Sequence, residues 1–125
     1  MTNRPQRALE YDLEDRSTKF GESVLTFARR LPETTLTRPL ISQFIRAGTS
    51  VGANYCEADE AESKKDFRHK IAICKKEARE TRYWLRLIAG AVPERREEVR
   101  PLWQEAKELT LIFSAIMRSA DGKAG

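Results

Sequence analysis

The sequence predicts an all-α protein, folded as an antiparallel up-down four-helix bundle. Three observations carry that prediction. Four segments repeat apolar residues at steps of 3, 4 or 7, the period of a helix, and none alternates β-branched and polar residues as a half-buried strand would. Glycine and proline are few (6 and 5 of 125), while charged residues reach 34%, a level that suits solvent-exposed helical surface. The connections between segments are short, and short connections make successive helices antiparallel neighbours. At ~1.5 Å per residue, helices of roughly 20 to 28 residues would build a bundle about 30 to 40 Å long.

The first segment places Leu13, Phe20, Val24, Phe27 and Leu31 on one stripe, and Pro32 ends it. The second runs from about Thr35 to Glu60 with the stripe Leu40, Phe44, Ala47, Val51 and Ala58. Pro39 lies near its start, where a missing N–H is tolerated. The third opens at Ser63, where Ser63-Lys64-Lys65-Asp66 resembles a capping box with Asp in place of the usual Glu. Its stripe is Phe67, Ile71, Cys74, Ala78, Thr81 and Leu85, and Gly90 and Pro93 punctuate its end. The fourth, from about Glu94, carries Leu102, Ala106, Leu109, Phe113 and Ile116.

A chain of 125 residues with 40% apolar content is one ordinary domain with one core. The bundle is expected over residues 12–120, with a polar, flexible segment at 1–11 and a flexible tail at 121–125. The opening MTNRPQRALEYDLEDR lacks the apolar stretch of a signal peptide, and no apolar run approaches the ~20 residues of a membrane span. A cytoplasmic protein without membrane contact is expected. Cys56 and Cys74 lie in helices without metal-ligand spacing and read as small, buried or half-buried residues in a reducing compartment.

The stretch RAGTSVGANYCEADEAESKKDF, residues 46–67, poses a choice between a phosphate-cradling loop and a closely packed helix. A phosphate loop of the Walker type needs G-x-x-x-x-G-K-[ST] after a strand, whereas Gly52 is followed by Ala-Asn and no strand precedes it. A helix fits better. Gly48 and Gly52 form a small-xxx-small pair, beside Ile41, Ile45 and Tyr55, on the flank of the core stripe, where the lack of side chains lets another backbone approach. Each glycine costs roughly 1 kcal/mol against alanine inside a helix, and tight packing is the simplest offset. Asn54 falls on the core stripe and is expected to hydrogen-bond a neighbouring helix.

The third helix carries the most information about function. At 100° per residue, Lys64, Lys75, Arg79, Arg82 and Arg86 all lie within about 40° of Arg68, and no acid enters that arc. The stripe is either a solvated face paired with acids of another helix, or a surface for the phosphates of RNA or DNA, to which the planar arginine fork is suited. No aromatic residue interleaves it along the helix, so backbone-driven, salt-sensitive contact is expected, without base stacking. The net charge of +4 and pI near 9.3 are mild and become informative only through such clustering. The opposite side of the same helix collects Asp66, Ile73, Glu77, Glu80 and Trp84, with Tyr83 and Leu87 flanking. Apolar and acidic residues together on an outer face read as a subunit interface, and the wide apolar arc of the second helix reads the same way. Gly48, Gly52, Tyr55, Glu77, Glu80, Tyr83 and Trp84 are the expected interface residues, with Trp84, Tyr83 and Trp103 as anchors.

Catalysis is not expected. A four-helix bundle holds a di-iron carboxylate site with two Glu-x-x-His pairs and two further Glu, but the chain has one histidine, His69, three residues after Asp66. Glu57 with Glu60 and Glu77 with Glu80 have the spacing of many exposed acids. No catalytic residue, metal or cofactor is assigned.

The run QFIRAGTSVGANYCEADEAESKKDFRHKIAICKKEARETRYWLRL, from Gln43 to Leu87, carries a family resemblance. Arg46-Ala47 with Ser50-Val51-Gly52-Ala53-Asn54, Glu57-Ala58, Ser63 with Asp66-Phe67, Lys76-Glu77-Ala78, Glu80-Thr81 with Tyr83-Trp84-Leu85, and the earlier Leu31-Pro32 closely resemble the bacterial 23S rRNA-intervening sequence proteins. The resemblance covers roughly residues 13 to 118. It implies a small up-down bundle assembled as a ring-like homopentamer with a central channel. Some members are encoded within intervening sequences of large-subunit ribosomal RNA genes. A related protein, the accessory variability determinant of diversity-generating retroelements, partners a reverse transcriptase and binds nucleic acid. The resemblance therefore implies a self-associating protein that binds RNA or DNA or, alternatively, an interaction scaffold or accessory subunit, for example of a reverse transcriptase. It implies no particular activity.

Overall fold

A computed structural model describes the backbone of residues 5–122 and side chains from residue 13. Four helices make up the fold: α1 (Pro5–Arg29), α2 (Thr37–Asp59), α3 (Lys64–Ala91) and α4 (Arg96–Gly122). A single 3-10 turn, Pro93–Arg95, joins the last two, and no strand occurs among the described residues. The helical backbone reaches further at both ends than the sequence boundaries of 12 and 120. The expected flexibility of residues 1–4 and 123–125 lies outside the described residues.

Each helix forms for a local reason. α1 buries Leu13, Phe20, Val24 and Phe27 of the expected stripe, together with Ser17, and Leu31 is buried just past its end. Its end tightens through Arg30 N–H to Phe27 O (3.0 Å) and Leu31 N–H to Ala28 O (3.1 Å) before Pro32 stops it. α2 starts with a reciprocal cap: Thr34 Oγ1 accepts from Thr37 N (3.1 Å), while Thr37 Oγ1 accepts from Thr34 N (2.9 Å) and donates to Pro32 O. This is a capping box with threonine at both positions, and it moves the start of α2 to Thr37. At the start of α3, Ser63 Oγ accepts from Asp66 N at 3.0 Å, the cap expected from Ser63-Lys64-Lys65-Asp66. α4 carries Pro101 inside its second turn, so the Glu97 carbonyl receives no N–H from that position.

The helices stand in a square in chain order. α2 packs on α1 and α3, α3 packs on α2 and α4, α1 meets α4 along a lighter seam, and across the diagonals the backbones of the described residues stay apart while side chains meet in the core. One continuous core runs through the square, from Phe20 and Val24 through Phe44 and Val51 to Ile71, Leu85, Leu109 and Phe113. Phe27 meets Phe44 edge to face at 6.0 Å, and Tyr55 meets Phe113 at 6.3 Å. Leu40, Phe67 and Ile116, expected in the core, are only partly buried at its margin.

The glycine stretch is helical. A Cβ on Gly48 would lie 2.6 Å from Val24 Cγ2, and one on Gly52 would lie 3.2 Å from the Ser17 carbonyl oxygen. Both glycines therefore admit α1 against α2 within one chain. Asn54 departs from expectation: it is half-buried, and its Nδ2 donates to Ser50 O in its own helix (2.9 Å). The α2 backbone already offers that acceptor one turn back, so no partner helix is required.

Candidate nucleic-acid interface

The six basic residues of the α3 stripe do not share one environment. Lys64 is exposed at the first turn. Arg68 forms a two-pronged ion pair with Asp121 of α4, at 2.6 and 2.9 Å, which holds the Asp121 carboxyl below the usual range. Asp121, placed by sequence in the tail, is thus part of the last turn of α4 and takes one cation out of the stripe. Lys75, Arg79, Arg82 and Arg86 line a seam between α3 and α4.

That seam contains two grooves that share Arg79 and Tyr83. The first, about 690 Å³, lies over Lys75, Glu80, Trp84 and Met117. The second, about 550 Å³, has Arg79, Arg82 and Arg86 on the α3 side and Arg96 and Arg100 on the α4 side, with Val99, Trp103 and Tyr83 between them and no acid in its lining. The arginine wall is therefore two-sided. Arg96, Arg100, Trp103 and Lys107 recur at steps of 4, 3 and 4 along α4, which puts them on one face. That periodicity is visible in the sequence and was the signal for the second wall. The expectation that aromatics are absent from the basic surface is corrected by α4: the Arg82 guanidinium lies 5.0 Å from the Trp103 ring centroid and Lys107 Nζ 5.7 Å from it.

Ion pairs tie several cations outside this surface to acids, although, among the described residues, Arg29, Arg38, Lys65, Lys76 and Arg118 are also without one. Arg16 pairs with Glu105 and Glu108, Arg30 and Arg95 with Glu98, Arg46 with Glu77 and Glu80, and Lys70 with Glu57. Among the described residues, Lys75, Arg79, Arg82, Arg86, Arg96 and Arg100 take part in no ion pair. The Arg82 Nε is shielded from solvent and has no acceptor. The reading of the stripe as a face neutralised by acids of another helix thus holds at Arg68 and fails over the rest of the seam.

Most of the expected interface residues also make contacts within the chain, although Glu77 Oε1 and Trp84 Nε1 are shielded from solvent without a partner. Gly48 and Gly52 face α1, Tyr55 is buried against Phe113, and Glu77 is only 5% exposed. Arg46 of α2 donates to Glu77 Oε2 (3.3 Å) and Glu80 Oε1 (2.9 Å), so the acidic face of α3 is answered by its own neighbour. The wide apolar arc of α2 has the same cause: in a square bundle it serves α1 on one side and α3 on the other. Trp84 and Trp103 are half-buried, and of the seven residues only Tyr83, 55% exposed, stands out from the surface.

No cluster of His, Cys, Asp and Glu that could hold a metal ion occurs among the described residues, and His69 is exposed. Cys74 is buried, its Sγ donates to Val51 O at 3.5 Å, and burial raises its thiol to about 12, so it stays protonated and unreactive; Cys56 is exposed. Among the described residues, no helix is long and apolar enough to cross a membrane.

Comparison with known proteins agrees with this geometry at the level of fold. A family model described as 23S rRNA-intervening sequence protein matches residues 10–115. A crystal structure of a protein from Bacteroides thetaiotaomicron VPI-5482, described as of unknown function and from the S23 ribosomal protein family, is similar with a TM-score of 0.76. It shares 29% identity, over 87% of this chain and 97% of that one. No curated protein matches the chain.

Proposed function

The chain belongs to the 23S rRNA-intervening sequence protein family, and from that premise we propose that it is a non-enzymatic, homo-oligomeric protein that binds RNA or DNA through phosphate contacts on the α3/α4 seam. The observation that carries the proposal is the set of basic side chains there, facing one another across a groove with no acid in its lining and no ion pair of their own. Like charges brought together without counter-ions repel, and an ordinary surface relieves this with interspersed acids, as Arg16, Arg30 and Arg46 show elsewhere in this molecule. A polyanion relieves it on binding and releases its own counter-ions. Self-association, as a pentamer, is supported by the family resemblance.

The test is charge reversal at exposed positions. Arg79→Glu with Arg86→Glu should weaken binding of a labelled RNA or DNA by ten-fold or more across unrelated sequences, and the salt dependence of the residual binding should flatten. Unchanged affinity would remove the seam as the site. A stable co-purifying protein partner with no affinity for nucleic acid would instead favour the accessory-subunit alternative.

A further inference from the structure

The second groove has features that phosphate attraction alone does not require. We infer that it selects single-stranded over double-stranded nucleic acid, holding phosphates on Arg86, Arg96 and Arg100 and one unstacked base on the face of Tyr83. This rests on the proposed nucleic-acid function and adds the form of the ligand to it.

Tyr83 is 55% exposed although it is a large aromatic, and it stands between Arg79 and Arg86 on the same side of α3. Its ring is set by an edge-to-face contact with Trp84, at 4.9 Å and 72°. An exposed, oriented aromatic flanked by arginines matches the platform on which single-stranded nucleic acids stack their bases. A duplex cannot use it, because its base faces are stacked on each other and only its phosphates and groove edges are presented.

Trp103 plays a different part. Its ring is occupied by cations, Arg82 at 5.0 Å and Lys107 at 5.7 Å, so it is not the free platform. It is a positioning residue that fixes the Arg82 guanidinium between the two helices. Arg96 and Arg100 are one turn apart, about 6 Å along α4, a step that a flexible strand can follow phosphate by phosphate. Both are exposed, so they reach the ligand without rearrangement of the core.

The experiment is fluorescence anisotropy with labelled 12-nucleotide oligo(U), oligo(dT) and a duplex of equal phosphate content, with poly-glutamate as competitor. Single strands should bind at least ten-fold tighter than the duplex. Tyr83→Ala should erase that preference while leaving duplex affinity within two-fold, and Tyr83→Phe should restore it. Arg96→Gln with Arg100→Gln should reduce the salt slope for single strands by about 1.4, from ~0.7 per phosphate contact. Circular dichroism of each variant should match the parent, since none of these side chains lies in the core.

Equal binding of strand and duplex, unmoved by Tyr83→Ala but abolished by Arg79→Glu with Arg86→Glu, would overturn the inference and leave the broader function standing. Displacement by poly-glutamate as effective as by oligo(U) would also overturn it, because a charge-matched peptide has no base to stack. Loss of all binding to every probe at low salt would overturn both. The oligo(U) and oligo(dT) arms separate RNA from DNA, and tight single-strand binding in either supports the inference.

Discussion

At the scale of single residues, a glycine is informative only with its neighbour known. Gly48 sits mid-helix, and replacing it with alanine would gain about 1 kcal/mol of helix propensity. The new Cβ would meet Val24 Cγ2 at 2.6 Å and Cγ1 at 2.9 Å, and Val24 is 0% exposed. Overpacking of this kind costs about 1–3 kcal/mol, so Gly48→Ala should lower thermal stability, by roughly 4 °C per kcal/mol lost. Gly90 supplies the control, since no atom lies within 4 Å of its would-be Cβ. Gly90→Ala should hold or raise the melting temperature. A Gly48→Ala protein as stable as the parent would show that the helices can separate freely at that point. The close approach was legible from the spacing of Gly48 and Gly52, but its direction was not. A small-residue pair shows that a backbone comes near without showing whose it is, and here it belongs to α1 of the same chain. Tyr55 and Glu77 are buried within the chain itself, and burial by a neighbouring helix and burial by a second copy leave the same mark on a helical wheel.

Among the elements, α1 is the least tied into the bundle. Its seam with α4 is light in backbone contact and is bridged by Arg16 to Glu105 (2.6 and 2.8 Å) and Glu108 (2.7 Å), and by Arg30 to Glu98 (2.9 Å). The Arg95 and Arg30 guanidiniums hold the Glu98 carboxyl below the ordinary value of 4.5, and the Gln104 amide and Arg16 do the same for Glu108. A carboxyl depressed in the folded state is protonated first in the unfolded one. Its stabilising effect is therefore present above pH ~4.5 and is lost as pH falls through the folded values. Melting temperature should drop more steeply below pH ~4.5 in the parent than in Glu98→Gln with Glu108→Gln, which should already be slightly less stable at pH 7. Parallel acid profiles for the two proteins would show that these pairs contribute nothing. At this scale the four helices, the Ser63 cap and most of each apolar stripe were legible in the sequence. The two-sided arginine groove was not, because it belongs to a pair of helices: the α3 stripe and the Arg96, Arg100, Trp103, Lys107 stripe are each ordinary alone, and only the fold sets them face to face.

For the whole molecule, assembly decides how strong the basic seam becomes. One chain carries a net +4, a modest field at physiological salt, where charges more than about 8 Å apart are largely screened. A ring multiplies the number of seams without changing any of them. A polyanion long enough to bridge two then gains an effective concentration for the second contact, which raises avidity beyond that of one groove. Light scattering of the purified protein at low and moderate salt, alone and with RNA of increasing length, separates the two terms. A mass near five chains is expected, with affinity that climbs sharply once the RNA can span neighbouring seams and then levels. A monomer of 14.4 kDa whose affinity grows only in proportion to length would mean that each groove acts alone. The exposed Leu25, Leu36 and Leu111 would then be isolated surface residues, and the pentamer implied by resemblance would not apply to this chain. Formation of the ring without any dependence on RNA length would place the grooves too far apart, or facing the wrong way, to share one strand.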